Sequence, residues 1–150
     1  MASTVPLIPV DVGFSFKGDD GTYLCPIQKE VGFECIGFVK NKTQFCKFFV
    51  ENLSNERVRL RTHDMSHLRR TSRNGRSPIE AKQVTPDESC VFKVFTRNGK
   101  VIFQADNGFF LSRIFSGLYS NANTLEAVKK VADEFCEFIP EVILLTSCDN

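Results

Sequence analysis

The chain has 150 residues, 42% of them hydrophobic and 25% charged, with a formal charge of +1. These values fit one globular domain and exclude a fibre or a disordered tail, and the near-neutral charge means that any charge-driven partner must meet a local patch. Fifteen Phe and no Trp make one aromatic type the main source of core volume.

The opening MASTVPLIPV has neither the basic start nor the apolar block of a secretory signal, so a cytoplasmic chain, or one released without a signal peptide, is expected. No apolar run approaches the roughly 18 residues that a membrane span needs, and Val142 to Leu145 falls far short. From residue 12 onward apolar residues alternate, as in Phe14-x-Phe16, Cys46-x-Phe48-x-Val50 and Cys90-x-Phe92-x-Val94, which is the period of a half-buried strand. Turn residues separate these runs: Gly18-Asp19-Asp20-Gly21, Arg73-Asn74-Gly75, Thr96-Arg97-Asn98-Gly99 and Asp106-Asn107-Gly108, all rich in types that tolerate positive φ. Only the stretch LEAVKKVADEF also fits a 3.6-residue period, so a short helical turn over Leu125 to Lys130 competes there with a strand.

A repeat of about 44 residues organises these elements. Its anchors are Phe14/Val58/Val101, Phe16/Leu60/Phe103 and Leu24/Leu68/Leu111. A second landmark is an apolar-Glu-small triplet, Phe33-Glu34-Cys35, Ile79-Glu80-Ala81 and Leu125-Glu126-Ala127; a third is Cys-x-Phe at Cys46/Phe48, Cys90/Phe92 and Cys136/Phe138. Three copies, roughly 12–55, 56–99 and 100–142, with four short strands each, predict an all-β single domain of twelve strands. One copy cannot bury its own Phe and Leu anchors. A β-trefoil, a closed barrel capped by three hairpins around a pseudo-threefold axis, gives all three a shared core and leaves no long open edge.

The stretches FKGDDGTYL, LRTHDMSHLRR, FQADNGFFLSRI and NTLEAVKKVADEFCEF resemble fascin-like β-trefoils and the related amaranthin-type agglutinin domains over residues 12–142. The resemblance implies the β-trefoil fold and, at the level of function, sugar binding or actin bundling, because one scaffold hosts both. The Gln-x-Trp motif of ricin-type sugar-binding trefoils cannot occur in a chain without Trp.

None of the six cysteines shows a two-residue Cys spacing, so neither a metal site nor a cofactor is expected. Cys46, Cys90 and Cys136 occupy equivalent strand positions two before an inward Phe and read as small buried hydrophobes; Cys25 and Cys148 read as the better candidates for reactive thiols. His63 and His67 are the only neutral-pH bases and lie in a turn beside Ser66, with no glycine-rich oxyanion loop or phosphate-binding pattern. A non-enzyme is expected.

Residues 57–76 carry seven Arg and one Asp, a local charge of +6 against −5 elsewhere. Arg57, Arg59 and Arg61 share the outward face of one strand, followed by Arg69, Arg70, Arg73 and Arg76. This is either a solvated face or a docking surface for an acidic partner, such as a sulfated or sialylated glycan or actin. Nucleic acid ranks last for want of interleaved aromatics. The third copy is longest between its anchors, and its loop offers Tyr119, Asn121 and Asn123 beside Asp106 and Asn107. An aromatic face with amide and carboxylate groups is the composition of a glycan cradle. Asp19, Asp20 and Tyr23 form a smaller version in the first copy. The expectation is therefore a carbohydrate-binding, agglutinin-like module for glycans or glycoproteins. Its rivals are a fascin-like actin-binding module, for which bundling requires a homodimer or a second site, and a targeting domain of a pore-forming or receptor-binding system.

Overall fold

The computed structural model describes residues 12–115 and 123–144. It is a β-trefoil with twelve strands and no α-helix among the described residues, and no helix there is long and apolar enough to cross a membrane. The first lobe contains β1 (Val12–Lys17), β2 (Tyr23–Glu30), β3 (Phe33–Val39) and β4 (Phe49–Asn52). The second contains β5 (Arg57–Arg61), β6 (His67–Arg70), β7 (Ile79–Lys82) and β8 (Phe92–Arg97). The third contains β9 (Lys100–Gln104), β10 (Phe110–Ile114), β11 (Thr124–Lys129) and β12 (Ile139–Leu144).

Six of these strands close a barrel. β1 pairs with β12, β4 with β5, β5 with β8 and β8 with β9. The bridges Phe14↔Phe48 and Val101↔Phe138 complete the ring. The hairpins β2–β3, β6–β7 and β10–β11 form the cap, and their second strands close a triangle through Cys35↔Glu80, Pro78↔Glu126 and Thr124↔Gly37. Closure gives each of the twelve strands at least one partner strand.

The turns follow the residues that permit them. Asn98 and Gly99, at φ 53° and 78°, join β8 to β9, and Asn74 and Gly75, at 52° and 76°, join β6 to β7. In the turn after the first strand of each lobe the same left-handed position holds Gly21, Met65 and Gly108, at φ 84°, 67° and 83°. Met65 alone bears a Cβ there. A non-glycine residue in this region costs about 1–2 kcal/mol, partly offset by the greater chain entropy that glycine loses on folding. Met65→Gly is therefore expected to stabilise the protein by about 0.5–1 kcal/mol, read as an upward shift of the thermal midpoint.

The core is built from threefold sets. Phe48, Phe92 and Phe138 are almost fully buried, as are Leu24, Leu68 and Leu111. Volumes are exchanged between lobes: Phe16 and Phe103 stand where the second lobe has Leu60, and Phe38 stands where the others have Ala81 and Ala127. Phe16 packs edge-on against Phe103 at 5.6 Å and Phe38 stacks on Phe138 at 6.1 Å. Total volume, rather than identity at each site, is what a close-packed interior conserves.

Several expectations change. The stretch from Leu125 is strand β11, because Leu125 and Ala127 face the core while Glu126 serves the cap triangle. The three core cysteines end 3₁₀ turns, Gln44–Cys46, Glu88–Cys90 and Glu134–Cys136, rather than lying in strands. Thr43, Asp87 and Asp133 cap these turns by accepting a backbone N–H two residues on, so the full recurring signal is Thr/Asp-x-x-Cys-x-Phe. The first-lobe triplet is also displaced. Leu24, Leu68 and Leu111 face Phe38, Ala81 and Ala127, which makes Ile36-Gly37-Phe38, not Phe33-Glu34-Cys35, the counterpart of Ile79-Glu80-Ala81. A β-bulge between Pro26 and Gln28 adds a residue to that hairpin. With this register the three hairpins span twelve, eleven and fourteen positions from inward Leu to inward Ile or Leu, so the third is longer by less than the sequence landmarks imply.

Candidate functional site

The turn after the first strand of each lobe is built alike. Backbone bonds Gly18 N to Thr22 O, Thr62 N to Ser66 O and Ala105 N to Phe109 O, at 2.7, 2.9 and 2.9 Å, close all three. Asp20, Asp64 and Asn107 each accept the backbone N–H two residues on, at 3.1, 3.3 and 3.1 Å. These side chains therefore shape their own turns. Burial alone would push the carboxyls of Asp20 and Asp64 up, but hydrogen bonds from Thr22, and from Thr62 and Ser66, hold both below the usual range.

The residue before each of them faces the neighbouring lobe. Arg113 donates twice to Asp19, at 2.8 and 2.9 Å, and its other terminal nitrogen lies 3.6 Å from Asp20. Arg70 donates twice to Asp106, at 2.5 and 3.1 Å. The hydrogen bonds to Asp19 and Asp106 push Arg113 and Arg70 above the ordinary guanidinium value. Asp19 and Asp106 are thus pins between lobes as well as surface groups. In the second lobe the position is His63, whose ring meets Phe45 edge-on at 4.8 Å. The strand position of Arg70 and Arg113, two after the inward Leu, is Pro26 in the first lobe.

The arginine run divides. Arg73 clamps Glu80, with one bond at 2.9 Å, and Arg76 clamps Glu126 at 2.8 and 3.3 Å. Both carboxylates are buried. Arg59 and Arg61 each reach Glu51 at 3.3 Å, and Arg61 also donates to His67 Nε2 at 3.2 Å. Arg57 is exposed beside them. Burial, with the Arg61 charge beside it, pulls His67 below its ordinary value.

Tyr23 is half-buried at the start of β2, with Lys17 and Lys42 amino groups 5.9 and 5.3 Å from its ring centre. Asn123 precedes β11 with a buried Oδ1 that has no hydrogen-bond partner. Tyr119 and Asn121 lie outside the described residues. Cys25 proves buried, at 3% exposure, and is no surface thiol; its hydrogen bond to Cys46, with burial, pushes it up. Cys148 lies outside the described residues.

Two concavities matter. An apolar groove of about 890 Å³, lined by Phe14, Val50, Leu53, Val94 and Val101, opens among the barrel strands. A polar groove of about 680 Å³ lies between the second and third lobes, walled by Arg69, Arg70, Arg73, Lys82, Asp87, Glu88 and Asp106 with the hydroxyls of Thr71, Ser72 and Ser89. The polar groove unites residues that the sequence assigned to two separate sites, Asp106 and the arginines. Arg69 Nε within it is buried and has no hydrogen-bond partner. Lys82, Asp87, Glu88 and Ser89 were missed by sequence reasoning; they come from β7 and the following 3₁₀ turn, where the recurring Thr/Asp-x-x-Cys-x-Phe signal marks Asp87 as a turn cap but no motif marks the four as a site.

No protein-family model matches the sequence, and no curated protein matches it either. Solved structures share the fold. A designed threefold-symmetric protein, ThreeFoil, superposes with a TM-score of 0.72 at 8% identity, covering 85% of this chain and 96% of its own. Cry35Ab1 gives 0.69 at 9% identity, covering 93% of this chain and 38% of its own. A mosquitocidal holotoxin gives 0.73 at 14% identity, covering 89% of this chain and 17% of its own. The chain therefore spans a minor part of the two larger proteins. At these identities the likeness is one of fold.

Proposed function

We propose that this β-trefoil is a non-enzymatic glycan-binding module, agglutinin-like in its use of the fold, and that the polar groove between the second and third lobes holds an acidic sugar. The supporting observation is the groove itself: four cationic side chains converge with three carboxylates and three hydroxyls in one concavity, and Arg69 in its wall has a buried Nε without a hydrogen-bond partner. Sulfate or sialic carboxylate is the group a guanidinium fork recognises, while Asp87 and Asp106 accept from sugar hydroxyls. An array of neutral, sialylated and sulfated glycans tests this. The acidic sugars are expected to bind, and Arg69→Ala to weaken them at least tenfold. An array without hits, or unchanged titrations for Arg69→Ala, removes the proposal.

The actin-binding reading uses the basic face of residues 57–76, where Arg59 and Arg61 pair with Glu51, Arg70 with Asp106, Arg73 with Glu80 and Arg76 with Glu126; what supports the groove over that face is its concavity, which an extended basic strand does not offer a sugar. A targeting domain within a larger protein remains the second reading. What favours it is the likeness to 17% of a mosquitocidal holotoxin. It is compatible with glycan recognition as the means of targeting.

A further inference from the structure

The three contacts between a first-strand turn and its neighbouring lobe are not chemically equal. At two of them a fixed cation sits against the turn: Arg113 at Asp19 and Asp20, Arg70 at Asp106. At the third, between the second and first lobes, the turn presents His63 and Asp64, and the arginine position is Pro26. A further carboxylate arrives there from β3. The ligand atoms of Glu34, His63 and Asp64 all lie within 4.8 Å of one another. Among the described residues neither Glu34 nor Asp64 forms an ion pair with Lys or Arg, so two carboxylates lie at this contact without the guanidinium that Asp19 and Asp106, the counterparts of His63, hold.

We propose that Glu34, His63 and Asp64 bind a divalent transition-metal cation of the zinc type, which takes the place at this contact that guanidinium groups take at the other two. One imidazole nitrogen and two carboxylate oxygens, with water completing the shell, are a three-ligand zinc set. The imidazole selects against magnesium and calcium, which prefer oxygen alone. The ligands are also oriented in advance. Thr62 Oγ1 and Ser66 N both donate to Asp64 Oδ1, which holds the carboxylate in its turn, and the edge contact with Phe45 fixes the plane of His63. The two clamped contacts join lobes that are distant in sequence, and a bound ion would do the same for Glu34 and the 63–64 turn.

The full chain, stripped with a chelator, is titrated with zinc chloride by calorimetry, and retained metal is counted after dialysis. One equivalent is expected, with a raised thermal midpoint. Glu34→Gln and His63→Ala are each expected to weaken uptake at least tenfold. Pro26→Arg, which supplies a guanidinium from the position of Arg70 and Arg113, is expected to lose zinc while remaining folded. No uptake at millimolar zinc, uptake unchanged by Glu34→Gln and His63→Ala, or equal competition by calcium would overturn the assignment. The Glu34 and His63 variants separate this site from zinc held by cysteines.

Discussion

Arg76→Met is expected to destabilise the fold by about 3 kcal/mol, as a lower urea midpoint, because it strands a buried carboxylate. Glu126 is 1% exposed and lies in the cap triangle opposite Pro78. Its oxygens are satisfied by Arg76 from the second lobe and by Thr124 Oγ1 at 3.1 Å. Removing the guanidinium leaves a desolvated charge with one neutral donor. The double variant Arg76→Met/Glu126→Leu removes both charges and is expected to recover most of the loss, since a packed apolar pair is often as stable as a buried ion pair. Lys42→Met is the surface control: its pair with Glu141 is about 40% exposed on each side, and the expected change is under about 1 kcal/mol. If Arg76→Met matched the control, the triangle would not depend on its charges.

The same clamps show how far the sequence could be read. The 44-residue period, the inward Phe and Leu sets and the Asn-Gly turns were legible because each is a local pattern with one physical cause, alternation or positive φ. The register of the first lobe was not. Gly37 occupies the place of Glu80 and Glu126, so a search for the recurring Glu settles on Glu34, three positions early. The function of the arginine run was equally hidden. Read along the chain it is a basic face; in the fold, Arg73 and Arg76 turn inward to buried carboxylates, and Arg70 crosses to Asp106. Partners separated by 36, 50 and 94 positions leave no spacing signal, and the polar groove and the Glu34–His63–Asp64 cluster are likewise products of folding alone.

Restoring the symmetric residue at position 37 is expected to be the most damaging single change proposed, despite making the three lobes more alike. A Cβ at Gly37 would lie 2.4 Å from the backbone oxygen of Asn123 and 2.5 Å from Ile27 Cδ1. That carbonyl accepts from Phe38 N at 3.2 Å, and Thr124↔Gly37 is the pairing that joins the third lobe to the first within the cap. The backbone cannot recede without opening the triangle. Gly37→Ala is expected to cost about 2 kcal/mol, the usual scale of overpacking. Gly37→Glu adds a carboxylate in a space that Ile27 fills, and burial of an unpaired charge raises the expected loss above about 4 kcal/mol, enough to deplete the folded state. Urea unfolding of both variants measures this. The combination Ile27→Ala/Gly37→Ala locates the cause: it relieves the side-chain contact and leaves the carbonyl in place. Little recovery is therefore expected from it, whereas full recovery would mean that Ile27, and not closure of the triangle, is what requires glycine here.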